Sequence, residues 1–307
     1  MLPLPRFDFA DPTDLAELVR LAGEPGARLV SGGTDLLPSM KHRLFAPTRL
    51  VSTMRVPELR QVEPLPEGGL SLGAAVTLRE VAAMPVVQRD YPALAKAART
   101  VATPTIQAMG TIGGNVMLDT RCRYYNQPAG WRVALGGCLK CEGPVCHVAP
   151  KGKGCYAAHS ADTVPVMMLL DVSVVFATAH GERHVPIREL YGVDGRTWLQ
   201  VPGGSVLVRL EVPPPGAPIA YRKLRARGAI DYPQLLTAVQ HIHDTWRCVV
   251  SAVGPAPLRL EATSPPELVE AAMAEVQPLT THLASPAWRK KLVRVELARA
   301  MAELGIG

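Results

Sequence analysis

Apolar positions along the chain follow two rhythms. Short runs at the period of a strand, Arg28-Leu29-Val30, Arg49-Leu50-Val51-Ser52 and Leu70-Ser71-Leu72-Gly73, alternate with stretches at the period of a helix. Helices are predicted from Leu36 to about Leu44, from Thr77 to Ala83 and from Tyr91 to Val101. The second carries its own start signal, Thr77 as N-cap with Glu80 three residues on. Over roughly the first 110 residues this is an α/β pattern. It returns after residue 160 with a short apolar helix, Asp162 to Leu170, and strands at Val172–Ala177, Ser205–Val212 and Trp246–Val253. Pro213-Pro214-Pro215-Gly216 reads as a linker between domains. A last helix is predicted from about Pro286 to Leu304, with Lys and Arg on one face and Trp288, Leu292, Val295 and Met301 on another.

The intervening stretch, roughly 116 to 160, has no period and is rich in glycine. So long an irregular loop inside a domain is functional or disordered. Its cysteines favour function. Five of the six in the chain lie there, as Cys122-x15-Cys138-x2-Cys141-x4-Cys146-x8-Cys155, and only Cys248 lies elsewhere. In a reducing compartment such a cluster points to metal rather than disulfides. Zinc sites usually show two short cysteine hooks, and here only Cys138 and Cys141 form one. The wide spacing fits an iron–sulfur cube better. His147 and His159 are further possible ligands.

The 307 residues suffice for two or three domains, and 48% hydrophobic with 20% charged residues excludes wholesale disorder. The longest clear apolar run, Val164 to Leu170, is too short to cross a bilayer. The N-terminus has neither the basic nor the apolar region of a signal peptide, so the expectation is a cytoplasmic protein with no membrane contact. Formal net charge is +6, and the segment Arg121 to Cys155, with six Lys and Arg against Glu142, carries 6 − 1 = +5 of it. A basic patch suggests nucleic acid. With 5% aromatics and no recognised motif, none is expected. Compensation of metal-bound thiolates explains the charge better.

Two glycine pairs stand out. Ser31-Gly32-Gly33-Thr34-Asp35 follows a strand, where bare backbone N–H groups approach phosphate closely; an ordinary turn is the competing reading. Thr111-Ile112-Gly113-Gly114-Asn115 is a second, and the two together would grip a dinucleotide from opposite sides. Tyr221 to Arg227 alternates, placing Lys223, Arg225 and Arg227 on one face, either of a solvated edge strand or beside an anionic cofactor. Asp162, at a helix start, reads by itself as an N-cap.

Taken in order, Ser31-Gly-Gly-Thr-Asp35, Leu72-Gly-Ala-Ala-Val-Thr77, Thr111-Ile-Gly-Gly-Asn115, Asp162-Thr-Val-Pro165 and Tyr221-Arg-Lys-Leu-Arg225 resemble the FAD-binding medium subunits of the xanthine dehydrogenase, or molybdenum hydroxylase, family. The cysteine insertion resembles that of the 4-hydroxybenzoyl-CoA reductase branch, whose β subunit carries an extra [4Fe–4S] cluster. The resemblance implies an α+β fold: a two-part FAD-binding domain of the vanillyl-alcohol oxidase (PCMH) type over residues 1–215, with the insertion at about 116–160, and a smaller α/β domain of the CO-dehydrogenase flavoprotein type over 216–307. It implies FAD held by Leu29, Val30, Ser31, Gly32, Gly33, Thr34, Asp35, Leu36, Thr111, Ile112, Gly113, Gly114, Asn115, Asp162 and Lys223. It implies cluster ligation by Cys122, Cys138, Cys146 and Cys155, with Cys141 a rival to Cys138. It implies partners: a molybdopterin-binding large subunit, a small [2Fe–2S] subunit, and an external electron donor such as ferredoxin, assembled as a dimer of heterotrimers. Substrate chemistry would occur on the partner, so no catalytic acid or base is expected here. The chain would serve reductive dehydroxylation of an aromatic CoA thioester. Two other readings stand beside it: a hydroxylase subunit oxidising an aromatic or N-heterocycle, and a zinc-stabilised binding module.

Overall fold

The computed structural model describes residues 2–201, 203–228 and 230–305. Three sheets organise it. The first is parallel, β1 (Asp8–Ala10), β2 (Ala27–Val30) and β3 (Arg49–Ser52), in the order β1-β3-β2. The second is antiparallel, β4 (Val62–Pro64), β5 (Leu70–Gly73), β6 (Ser173–Thr178), β7 (Gly181–Pro186) and β8 (Val206–Val212), in the order β4-β5-β8-β6-β7. The third is also antiparallel, β9 (Ile219–Leu224), β10 (Leu235–Ile242), β11 (Thr245–Ser251) and β12 (Leu258–Ala262), in the order β12-β11-β10-β9.

Between the strands run α1 (Leu15–Ala22), α2 (Leu36–Lys41), α3 (Leu78–Ala83), α4 (Pro85–Asp90), α5 (Pro92–Arg99), α6 (Pro104–Gln107), α7 (Ile112–Val116), α8 (Ala129–Ala134) and α9 (Val164–Leu169). After β12 come α10 (Pro265–Glu275) and α11 (Pro286–Glu303). The main core joins α3, α5, α7 and α9 to the second sheet and to one face of the third, through Tyr221, Leu236, Ala238 and Val249. The other face of the third sheet, with Val239, Cys248 and Val250, packs on α10 and α11 in a core of its own.

The Thr77–Glu80 capping box forms as read. Four expectations need correction. The helix begun at Leu36 stops at Lys41, because Arg43 turns left-handed at φ 60°. Thr111 to Asn115 is not a loop; Thr111 caps α7, and both glycines lie inside that helix. Strand β9 ends at Leu224, so Arg225 and Arg227 are not part of its alternating face. Helix α11 buries Val293, Leu297, Ala300 and Met301, while Trp288 is exposed. Arg289 and Glu296 are buried with the apolar set, a reversal that no hydropathy pattern announces.

Candidate functional site

Strand β2 delivers the chain into Ser31–Asp35, and α7 starts opposite it. Between them lies a cavity of about 470 Å³. Twelve of the fifteen residues expected around a cofactor line it: Leu29, Val30, Ser31, Gly32, Gly33, Thr34, Asp35, Leu36, Thr111, Gly114, Asn115 and Asp162. Ile112 points into the core, Gly113 packs against Ala74, and Lys223 lies behind the wall.

The two glycine pairs offer different chemistry. Among the described residues, the N–H groups of Gly32, Gly33 and Thr34 donate to nothing. Main-chain donors that line a cavity with no protein acceptor are free to bind an anionic ligand. A Cβ on Gly32 would collide with the Met109 carbonyl, and Gly33 sits at φ +67°, so both positions require glycine. In the second pair the donors are already engaged. Ile112 N–H bonds Val76 O, Gly113 N–H bonds Ala74 O, and Gly114 N–H bonds the Thr111 hydroxyl at 3.1 Å. That pair supplies close packing and a bare wall rather than donors.

Asn115 is buried, and its Oδ1 accepts from Thr163 N–H at 3.2 Å and from the Thr163 hydroxyl at 2.7 Å. The backbone donor identifies the oxygen, which leaves the amide nitrogen free toward the cavity. Asp162 is not an N-cap; that position belongs to Thr163. Its carboxylate is buried and paired with Lys223 at 2.7 Å, and the lysine also donates to Thr100 O at 2.9 Å. Burial pushes the Asp162 carboxyl up to about 6, against the pull of Lys223 and the Tyr221 hydroxyl. Strand β9 is the edge of its sheet, but Lys223 is not solvated there; its side chain is 3% exposed.

Charge balance around the cavity follows from these pairs. Each lining carboxylate is tied to a cation: Asp35 to Arg121, Asp119 to Lys140, Asp162 to Lys223, and Asp231 to Arg227. Arg28 lines the cavity with Phe45 under its guanidinium at 3.6 Å and has no carboxylate in ion-pair contact among the described residues. The residual charge is positive, which suits an anionic ligand.

Several lining residues were invisible in the sequence. Ile230, Asp231 and Tyr232, from the β9–β10 connection, line the cavity together with Arg227, which the sequence had offered as a cation beside an anionic cofactor. Tyr232 lies under the Arg121 guanidinium and donates to Asp35 at 3.4 Å. Nothing in a hairpin tip marks it for a cavity more than a hundred residues away.

The cysteine insertion folds against the same wall. Cys122, Cys138, Cys146 and Cys155 are buried, and Cys141 is half-exposed with its sulfur accepting from Arg132 Nε at 3.2 Å. Burial pushes the Cys122, Cys138 and Cys155 thiols up, the last to about 11. Backbone N–H groups of Tyr124 and Tyr125, of Lys140 and Cys141, and of Ala157 pull the other way at those three sulfurs respectively. Cys122 feels Cys138 and Cys146, Cys155 feels Cys146 and Cys122, and Cys138 feels Cys141 and Cys146. Among the described residues no three His, Cys, Asp or Glu side chains form a site for a metal ion. His147 bonds Gly137 O, and His159 is buried against Ser251 Oγ at 3.0 Å. Lys140 spans the two regions. Its ammonium pairs with Asp119 in the cavity wall and donates to Thr120 Oγ1 at 2.6 Å and Gly195 O at 2.7 Å. Its charge also lowers the Cys155 thiol. No helix among the described residues is long and apolar enough to cross a membrane.

Comparison with known proteins gives one consistent answer. Residues 5–215 match the family described as the FAD binding domain in molybdopterin dehydrogenase. The chain is 32% identical over 249 residues, 78% of each sequence, to the FAD-binding subunit of an aldehyde oxidoreductase of Escherichia coli. It is 40% identical over 119 residues, 38% of this chain and 40% of the other, to the carbon monoxide dehydrogenase medium chain of Hydrogenophaga pseudoflava. Among solved structures, a carbon monoxide dehydrogenase from that organism superposes with a TM-score of 0.77 at 24% identity, covering 98% of both chains. Quinoline 2-oxidoreductase from Pseudomonas putida superposes at 0.79 with 22% identity, covering 99% of both. The mixed α/β architecture is thus shared. The chain belongs to the family of FAD-binding subunits of molybdenum hydroxylase-type oxidoreductases.

Proposed function

We propose that the chain is the FAD and [4Fe–4S] electron-transfer subunit of a molybdenum-containing complex of the 4-hydroxybenzoyl-CoA reductase type. The observation that carries this is the Lys140–Asp119 pair, which joins a cavity suited to phosphate to a set of four buried thiols in one chain. Electrons would pass between an external donor such as ferredoxin and partner subunits holding [2Fe–2S] and molybdopterin. We divide the chain at residues 215/216, FAD-binding part first.

The residues present suit FAD; for a cluster they supply four buried thiols in one insertion, although no three of them meet at a metal-ion site among the described residues. For FAD, the unengaged N–H groups of Gly32, Gly33 and Thr34 would donate to pyrophosphate oxygens, and Arg28 would balance their charge. The amide nitrogen of Asn115 would donate to the flavin or its chain. Lys223 holds Asp162 as an ionised acceptor beside it. Arg227, Ile230, Asp231 and Tyr232 supply a further part of the lining. For the cluster, Cys122, Cys138, Cys146 and Cys155 would be the thiolates, each losing its proton on binding. Backbone N–H groups already aimed at three of the sulfurs stabilise that charge. Cys141 stays with Arg132. Bound there, FAD exchanges electrons singly or in pairs and the cluster singly.

A second reading is favoured by the likeness to the aldehyde oxidoreductase subunit: electrons arrive from a substrate oxidised on the large subunit and leave through this chain. A visible spectrum before and after anaerobic dithionite, with iron and flavin quantified, tests the cofactor assignment. About four iron per FAD is expected. Flavin without iron overturns the cluster half, iron-free zinc protein restores the binding-module reading, and a colourless protein overturns the whole. Anaerobic turnover of an aromatic CoA thioester with reduced ferredoxin, against turnover of an aromatic aldehyde with an acceptor dye, decides the direction.

A further inference from the structure

We infer that a second, smaller cavity binds a phosphate group, and that the bound anion acts on the first cavity through Lys223. Only the second half rests on the proposed function, in taking the first cavity to hold FAD.

The second cavity has a volume of about 220 Å³ and is lined by Lys96, Thr100, Tyr221, Arg222, Lys223 and Arg225. Helix α5 and its C-cap supply the first two, strand β9 the next three and the chain just beyond β9 the last. The lining therefore holds four cations, two hydroxyls and no carboxylate. Like charges brought together repel, so such a wall needs anions nearby. Three carboxylates lie outside the lining. Glu296 and Glu303 pair with Arg222, Glu303 also lies 3.4 Å from Lys96, and Asp162 pairs with Lys223. Arg225 has no ion-pair partner among the described residues; its guanidinium donates to Gly228 O. The balance is 4 − 3 = +1. Guanidinium, ammonium and hydroxyl donors from separate elements suit a tetrahedral oxyanion, whose oxygens accept from several directions, better than a planar carboxylate. The volume suits one phosphate group; it is less than half that of the first cavity.

Lys223 connects the two cavities. It lines the second, and its ammonium lies 2.7 Å from Asp162, which lines the first. The same ammonium donates to Thr100 O at 2.9 Å. An ammonium has three donors, and the third has no acceptor among the described residues. An anion in the second cavity takes that donor and draws the lysine from the carboxylate. Tyr221 repeats the link, lining the second cavity while its hydroxyl donates to Asp162 at 3.5 Å. Burial pushes the Asp162 carboxyl up, and Lys223, Tyr221 and Arg225 pull it down. All three of these face the second cavity. An anion that engages them weakens their hold, so the charge beside the flavin changes without contact between anion and flavin.

The test titrates the intact, FAD-loaded complex with inorganic phosphate and, separately, with ADP. Binding is read by calorimetry and by the flavin difference spectrum. Wild type should bind one phosphate per chain with a Kd of roughly 0.1–1 mM, and the difference spectrum should grow with the same midpoint. Arg225→Gln should weaken binding at least about tenfold, the loss of one charge-assisted contact. Lys96→Gln, at an exposed position, should weaken it in the same direction and keeps the test readable if the first variant does not fold. FAD content and melting temperature without phosphate should not change. Tighter binding of ADP, lost with Arg225→Gln, would make the source a nucleotide; weaker binding would make it free phosphate. No saturable binding, or binding that both variants leave unchanged, overturns the proposal. Binding without a flavin difference spectrum overturns its second half. A complex without FAD counts against the proposed function alone, because the loss on Arg225→Gln still reports on this cavity.

Discussion

At the scale of the residue, the cavity is decided by which polar groups are already satisfied. Four carboxylates have cations, and Arg28 has none. Replacing Arg28 with Met removes a charge-assisted contact worth about 1.5–3 kcal/mol. FAD should then bind about 10- to 100-fold more weakly to the apoprotein in a flavin fluorescence titration, with the melting temperature little changed. Equal affinities would place the phosphates elsewhere. Asp162 gives a pH signature. Its carboxyl is raised by burial, so the native state holds its proton more tightly than the unfolded chain does. Its contribution to stability is therefore full below about pH 4 and declines as pH rises through about 6. Against an Asp162→Asn variant, which lacks this dependence, wild type should lose on the order of 1–3 kcal/mol between those limits. Chemical denaturation of both proteins at several pH values shows it; parallel curves would refute the raised carboxyl.

At the scale of the element, buried polar anchors connect what apolar periodicity alone leaves loose. Arg289, fully buried in α11, donates to Gln234 O at 2.9 Å, to Leu279 O at 3.0 Å and to Ala252 O. Through Gln234 it ties the last helix to the start of β10, just after the residues that line the cavity. Arg289→Met keeps the apolar stem but removes three hydrogen bonds, and each carbonyl left buried without a donor costs about 1–3 kcal/mol. The variant should melt several degrees lower and release FAD faster, while Trp288→Ala, on the exposed face, changes neither. This element also shows the limit of periodicity. It located the helix from Pro286 and turned Leu292 and Met301 toward the core, but it also put exposed Trp288 there and missed Arg289 and Glu296, which are buried through partners that lie elsewhere in the chain. Strand β2 and helix α3 were legible because their signals, a short apolar run and a capping box, are local.

At the scale of the whole molecule, the cysteine insertion and the cavity share one ion pair. Lys140 sits between Cys138 and Cys141 in sequence and beside Asp119 in space, and both side chains are over nine-tenths buried. Breaking the pair leaves a buried charge alone, which costs about 3–5 kcal/mol. Lys140→Met should weaken FAD binding and lower iron content together, although Lys140 lies behind the wall. Adding Asp119→Asn should restore a substantial part of both. A double-mutant cycle on stability should give a coupling of about 0.5–3 kcal/mol, and strict additivity would mean the two regions are independent.

Read alone, the sequence determined what rests on short-range chemistry. Paired glycines after a strand, a capping threonine, the α/β rhythm and five clustered thiols are each set by neighbours within a few residues, and together they carried the family resemblance. Tertiary structure decided which of those groups remain available. The first glycine pair keeps its donors free and the second does not, because Val76 and Ala74 lie against it. Asp162 faces Lys223 rather than capping its helix, because β9 passes behind α9. Cys141 turns to Arg132 while Cys138 is buried with the other thiols. Arg227, Ile230, Asp231 and Tyr232 reach the cavity because the third sheet packs on the main core. Availability depends on partners distant along the chain, and a one-dimensional pattern does not contain them.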